Sequence, residues 1–176
     1  MAIRPYKNIV PTVPASAFVD DSAVVIGDVV LGEDASIWPQ CSIRGDVNFI
    51  RIGARTNIQD GSVIHVTHKH AALPQGRPTV IGDDVTVGHQ VILHACTVGH
   101  RCLIGMGSQI LDAAVLQDEV LLGAGSLVTE GKILESGYLY VGRPTRRLRE
   151  LTAEERNWFA YSAKHYVKLK NDYQLP

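Results

Sequence analysis

An aliphatic residue returns at every sixth position along most of the chain, and no other feature restricts the possible folds so tightly. Val13, Val19, Val25, Leu31, Ile37 and Ile43 form the first run. The spacing then slips, resumes at Ile52, Ile58 and Ile64, breaks over residues 66 to 80 and returns at Ile81, Val87 and Leu93. One residue is lost before the last run, Val98, Ile104, Ile110, Leu116, Leu122 and Val128. A glycine follows the aliphatic at positions 32, 53, 82, 88, 99, 105 and 123. A helix would need apolar spacing of three or four, and a hairpin sheet would show turn signals at less regular intervals. Self-similarity at a fixed short period is instead the signature of a solenoid. Each hexad is expected to form one short strand and a corner of a parallel β-helix. Three hexads close a triangular coil, so the eighteen hexads predict about six coils.

Two positions before each aliphatic stands a small or compact residue, among them Ala17, Ala35, Thr56, Ser62, Val91, Ser108 and Ser126. All three cysteines, Cys41, Cys96 and Cys102, occupy this slot. Their number is odd and they lack CxxC spacing, which argues against a disulfide framework or a cysteine zinc site and for small hydrophobes stacked inside a narrow coil. After Val128 the period fades. The stretch "LTAEERNWFAYSAKHYVKLKNDY" reads as a helix with Thr152 as N-cap and Glu155 completing a capping box. Trp158, Ser162, Tyr166 and Tyr173, flanked by Phe159, Ala163 and Leu169, are expected to form its packing face. The expected division is a β-helix over residues 1–142 and a C-terminal segment and helix over 143–176, within one domain of 176 residues.

A formal net charge of −1 gives no reason to expect nucleic acid or an anionic membrane as a partner. No apolar stretch approaches the length of a membrane span, and the N-terminus lacks the apolar core of a secretory signal. These features predict a cytoplasmic protein.

The coil register gives the polar residues their places. His65 follows Ile64, His94 follows Leu93, and Leu93 lies three hexads after Ile64. The two imidazoles therefore share one corner on consecutive coils, about 4.8 Å apart, close enough to hold one metal ion. Arg44, three hexads earlier, joins the same edge with Asp46 beside it. His89 belongs to another corner, with Gln59 and Asp60. A homotrimer would bring the His65 and His94 corner of one chain against the His89 corner of the next, and closed cyclic symmetry makes such a contact self-limiting.

At these residues the sequence resembles the gamma-class carbonic anhydrase-like family, in its bacterial YrdA-like branch. The motifs that carry the resemblance are "IRGDVNFIRIGARTNIQDGSVIHVTHK", "IGDDVTVGHQVILHACTVG", "IGMGSQILDAAV", "GAGSLV" and "GRPTRRLR", and they cover essentially the whole chain. The spaced set Arg44, Asp46, Asn57, Gln59, Asp60, His65, His89 and His94 is its most specific part. The resemblance implies a left-handed coil, where general crossover rules favour the right hand. It implies that His65 and His94 are metal ligands from one subunit and His89 the ligand from its neighbour. Gln59 resembles the residue that hydrogen-bonds the reacting hydroxide. Arg44 and Asp60 resemble a charged pair across the subunit boundary, Asp46 the partner of Arg44 within the chain, and Tyr166 a tyrosine that reaches the metal pocket.

Three neutral imidazoles suit Zn2+ with one coordination position open, and a water bound there is acidified to a pKa of about 7. Fe2+ and Co2+ accept the same donors. The chemistry implied is hydration of carbon dioxide to bicarbonate. Val47 stands where the most active members carry a glutamate in the proton path, and "HVTHKHAALPQGRP" replaces their acidic shuttle loop. These departures bring the rate into question. His68 and His70 are imidazoles of the kind that could substitute as a proton shuttle and equally read as exposed loop residues; His100 and His165 read as structural. Competing readings are a hexapeptide acyltransferase or zinc-dependent acyl-CoA thioesterase, and a metal-binding scaffold without turnover.

Overall fold

The computed structural model describes residues 3–175; positions 1, 2 and 176 of the two expected segments lie outside the described residues. The aliphatic hexad positions stack in register as three columns of parallel strands. One face carries Val19, Ile37, Ile58, Val87, Ile104, Leu122 and Tyr140 in successive pairing. The second carries Val25, Ile43, Ile64, Leu93, Ile110 and Val128. Leu31, Ile52, Ile81, Val98, Leu116 and Leu134 form the third. The fold is the expected left-handed parallel β-helix with one C-terminal helix. The stack runs further than the sequence period suggested, because Leu134 and Tyr140 continue two columns beyond Val128. The aromatic at 140 hid the repeat, although its side chain is 4% exposed. An antiparallel strand, Arg146–Glu150, then pairs with Tyr138–Val141 and covers the last open edge of its sheet.

Period six folds this way because a short strand points one residue of each pair inward, and the columns fill the prism. Ile43, Ile58, Ile64, Leu93, Ile104 and Ile110 have no exposed surface, and burying a side chain of this size contributes about 1.5–3 kcal/mol. The small slots are buried as well, with each cysteine 1% exposed. Corners need a residue with positive φ, and Asp34, Gln40, Arg55, Asp84, Gln90, Arg101 and Glu119 supply it.

All three slips in the repeat fall at one corner, between the second and third faces. The strand Ser42–Ile52 keeps register with Val24–Leu31 through Gly45 opposite Gly27 and regains it at Ile50 opposite Val29, so residues 46–49 bulge outward. Residues 66–78 leave the coil at the same corner one turn later, with Thr67 and Arg77 paired across the neck of the loop. The shortened hexad from Leu93 to Val98 follows, with Ala95 at φ 49°.

The helix Ala153–Gln174 starts as expected, with Thr152 accepting from Glu155 N and Glu155 closing the capping box. Its buried stripe is Phe159, Ser162, Ala163 and Lys170, with Lys170 Nζ paired to Asp34 Oδ1 at 3.0 Å. Trp158 and Tyr173, expected in the packing face, are more than half exposed. The contact stripe is centred about one residue away from that expectation. The Tyr173 ring still meets Phe18 and Trp38 at its edge. No described helix is long and apolar enough to cross a membrane.

Candidate metal centre

Most strands are two residues long, and on several of them glycine follows the inward aliphatic. The next coil passes so close that a Cβ at Gly105 would lie 2.4 Å from Ala124 N. On the second face the strands Val63–His65 and Ile92–His94 run one residue further. Alternation along an extended strand turns Ile64 and Leu93 inward and the neighbouring histidines outward. His65 and His94 are paired in register, as the three-hexad spacing predicts, and His65 Nδ1 lies 3.3 Å from His94 Nε2. Both rings are partly buried.

Each ring's outer nitrogen is held by a carboxylate. His65 Nε2 lies 3.1 Å from Asp46 Oδ1 and His94 Nδ1 lies 2.5 Å from Asp112 Oδ1. An ionised carboxylate only accepts, so in a neutral ring the outer nitrogen carries the proton and the inner nitrogen presents a lone pair. Two lone pairs then face across 3.3 Å. That arrangement repels unless a cation lies between, and two ligands about 2.05 Å from one zinc at a tetrahedral angle stand about 3.3 Å apart. The donor set therefore fits zinc. Burial pushes the His65 pKa down, with Arg44 and His94 adding to it against the pull of Asp46, which keeps a ligand imidazole neutral. Burial alone would raise the Asp46 carboxyl; hydrogen bonds from Arg44 and His65 outweigh it and hold its pKa below the usual carboxylate range. Asp112 behaves alike, with Thr67 and His94 as the donors.

Arg44 Nη1 donates to Asp46 Oδ2 at 2.5 Å, the intrachain pairing that the resemblance implies. The bulge at 46–49 is what carries this carboxylate back over His65.

His89 stands on the first face's corner, where its Nδ1 lies 2.8 Å from Asp60 Oδ2 on the preceding coil. It is thus the third imidazole with one nitrogen tied to a carboxylate and the other free. Gln59 is 6% exposed; its Nε2 donates to Asn57 Oδ1 at 3.0 Å, and Asn57 Nδ2 donates to Thr86 Oγ1 at 3.1 Å. Thr86 is bonded in turn to Ser162 of the terminal helix at 2.8 Å. This chain of bonds fixes which end of the Gln59 amide is spoken for and leaves Oε1 as the remaining acceptor. A groove of about 480 Å3 opens between Gln59 and the helix, with Gly88 and Gly105 in its floor and Trp158, His165 and Tyr166 along its wall. Burial raises the Tyr166 pKa, and the Asp60 charge adds to the shift.

His65, His94, Arg44 and Asp46 thus share one corner, while His89, Asp60, Gln59 and Tyr166 gather at another. Among the described residues no three His, Cys, Asp or Glu side chains of a single chain are arranged around one metal position. Sequence reasoning missed Asp112 and Thr67. The register held the signal for Asp112, since Ile110 stacks on Leu93 and places residue 112 one coil below the His94 corner. Val47 is exposed on the bulge. His68 and His70 lie exposed on the loop with ring centres 5.3 Å apart. His100 Nδ1 accepts from Asp83 N, and His165 stacks on Tyr161.

No family model matches the chain. It is 56% identical over 171 residues to the protein YrdA of Escherichia coli K12, covering 97% of this chain and 93% of that one. It is 45% identical over 159 residues to the mitochondrial gamma carbonic anhydrase 1 of Arabidopsis thaliana, covering 90% of this chain and 58% of that protein. A crystal structure of a hexapeptide transferase family protein from Anaplasma phagocytophilum superposes with a TM-score of 0.91 at 44% identity, covering 98% of each chain. At 56% identity over 97% of its length to one such relative and 45% over 90% to another, the chain belongs to the gamma-class carbonic anhydrase-like family, in its YrdA-like branch.

Proposed function

We propose that the protein is a homotrimeric zinc enzyme that hydrates carbon dioxide to bicarbonate, with one metal site at each of three subunit boundaries. The observation that carries this reading is the pair of ring nitrogens facing across 3.3 Å, each with the other nitrogen of its ring on a carboxylate. His65 and His94 would hold the metal from one subunit and His89 from the next. When bound, zinc supplies a water acidified to a pKa of about 7.

The chain's own residues do the rest. Asp46, Asp60 and Asp112 hold the outer protons of the three imidazoles. Gln59 Oε1, the free end of an amide tied down by Asn57, would accept a hydrogen bond from the attacking water and so orient it. Tyr166 and the apolar floor of the groove flank the space where a nonpolar triatomic substrate would approach. Val47 offers no carboxylate to carry the proton released on each turnover, and the carboxylate beside it, Asp46, is engaged by Arg44 and His65, so proton export is expected to limit the rate.

Exposed surface supports the trimer. Val63 and Ile92 point outward beside His65 and His94 and are 40% and 38% exposed, and Met106, 59% exposed, follows His89 on the next coil. An interface between copies would bury both patches. Arg44 and Asp60 are half exposed on the two corners and carry the opposite charges such a contact needs. Three free buried thiols accord with a cytoplasmic setting. Fe2+ or Co2+ would fit the same donors.

The groove favours one second reading, acyl transfer or thioester hydrolysis, because its volume exceeds what carbon dioxide fills. The deciding experiment is stopped-flow carbon dioxide hydration on metal-quantified trimer, in zinc and anaerobic iron forms, beside His89→Ala. Hydration above background in the native protein and its loss in the variant are expected. Background rates in every metal form would overturn the hydratase reading, and saturation by an acyl-CoA would then select the second. Equal behaviour of the native protein and of all three histidine variants would leave a scaffold.

A further inference from the structure

We infer that Asp112 and Thr67 form a positioning pair that locks His94 in the Nδ1–H tautomer and thereby sets the metal affinity of the site. The inference rests on the zinc reading above. His94 is the only ligand candidate of its corner whose carboxylate comes from the following coil: Asp112 lies one residue beyond the register partner of His94 and reaches back to its Nδ1 at 2.5 Å. The other carboxylate oxygen, Oδ2, accepts from Thr67 Oγ1. With both oxygens engaged, the carboxylate cannot turn away from the ring. It holds His94 Nε2 towards His65 Nδ1.

Thr67 is itself held from two directions. Its backbone pairs with Arg77 in both senses, N to O at 2.9 Å and O to N at 3.0 Å, and its carbonyl also accepts from Asn48 Nδ2 at 3.3 Å. Asn48 belongs to the bulge that delivers Asp46 to His65. The loop that interrupts the hexads and the bulge that precedes it are therefore joined at the residue that orients Asp112. This gives the loop over residues 66–78 a role in the site other than proton transfer. It supplies the donor that aims the carboxylate behind one ligand.

Removing such a partner of a metal-ligating histidine typically costs roughly 10- to 100-fold in metal affinity. The test uses the full-length protein, with zinc affinity read by competition with a chromogenic chelator and tautomers read by 15N NMR of histidine-labelled, metal-free protein. Asp112→Asn is expected to bind zinc roughly 10- to 100-fold more weakly, to lose the Nδ1–H signature of His94, and to keep the wild-type melting temperature. Thr67→Val should weaken zinc several-fold in the same direction, and Asp112→Glu should recover part of the tautomer signal. Unchanged affinity and an unchanged His94 tautomer in Asp112→Asn, while His94→Ala loses zinc, would overturn the inference and leave the zinc reading intact. If zinc binding is absent from the native protein, or is equal in native protein and His94→Ala, the zinc reading falls and takes this one with it.

Discussion

His65 Nδ1 and His94 Nε2 face one another across 3.3 Å on consecutive coils, and in the neutral rings neither has a hydrogen to offer, because the outer nitrogens donate to Asp46 and Asp112. His89, on a different face of the same prism, has its own nitrogen tied to Asp60 and its other nitrogen free.

That separation predicts complementation between defective chains. His89→Ala alone and His65→Ala/His94→Ala alone should each bind no zinc at the site. Co-expressed in equal amounts, the two chains should assemble trimers in which an intact pair meets an intact His89 at about a quarter of the boundaries, by random mixing in a closed ring of heterologous contacts. Zinc per chain in the purified mixture measures it. A mixture as empty as its parents would contradict a site shared between neighbouring chains.

The cysteines should be chemically silent in the native state. Burial pushes the Cys41 thiol up to about 11 and those of Cys96 and Cys102 up to about 12, and a thiol reacts as its thiolate. A disulfide reagent at pH 8 should modify none of them within minutes and all three after unfolding in guanidinium. Rapid labelling of the folded chain would contradict the stacked-core assignment.

Two glycines two residues apart should respond differently to alanine. At Gly105 the new Cβ would meet backbone 2.4 Å away, whereas at Gly107, with φ +69°, nothing lies within 4 Å. Gly107→Ala should therefore lose about 1 kcal/mol, the cost of a side chain in the left-handed region. Gly105→Ala should lose about 3 kcal/mol or more, because the next coil must move. Urea unfolding of the two variants gives the comparison.

Acid should loosen the terminal helix before the coil. The Arg149 guanidinium, bound to both oxygens of Glu155 at 2.8 Å, and the Thr152 backbone N–H hold the Glu155 carboxyl at about 2. Because that pKa lies below the unfolded value of about 4.3, the contribution is present above pH 4.3 and is lost as pH falls towards 2. Helix signal in circular dichroism should decline over that window in the native chain, with the decline reduced in Glu155→Gln. Thr152→Ala, which removes the N-cap acceptor, should cost about 1 kcal/mol at neutral pH.

Much of the centre was legible before any coordinates. Hexad counting alone sets Ile64 over Leu93 and so His65 over His94, and it assigns His89 to another corner beside Asp60; the structure has both. The small slots followed from the same count and the capping box from its local pattern, whereas the pairing of Arg44 with Asp46 was implied by the family resemblance. The end of the coil was misjudged at Val128: Leu134 keeps the period and an aromatic takes the next hexad position at 140. The helix face was misjudged because Trp158 and Tyr173 look like core residues, although the stripe that meets the coil is centred on Phe159, Ala163 and Lys170. The slips in the repeat read as lost regularity, and in the structure they all lie at the histidine corner.

What the sequence by itself determined is the prism and the order of its stacked side chains, because parallel pairing at a constant strand spacing turns a period along the chain into a position in space. What only the tertiary structure decided is which nitrogen of each ring is free. That depends on where Asp46, Asp60 and Asp112 come to rest, and those carboxylates lie 18 to 29 residues from their histidines. Their reach is set by a bulge, a loop and a shortened turn whose shapes no period encodes.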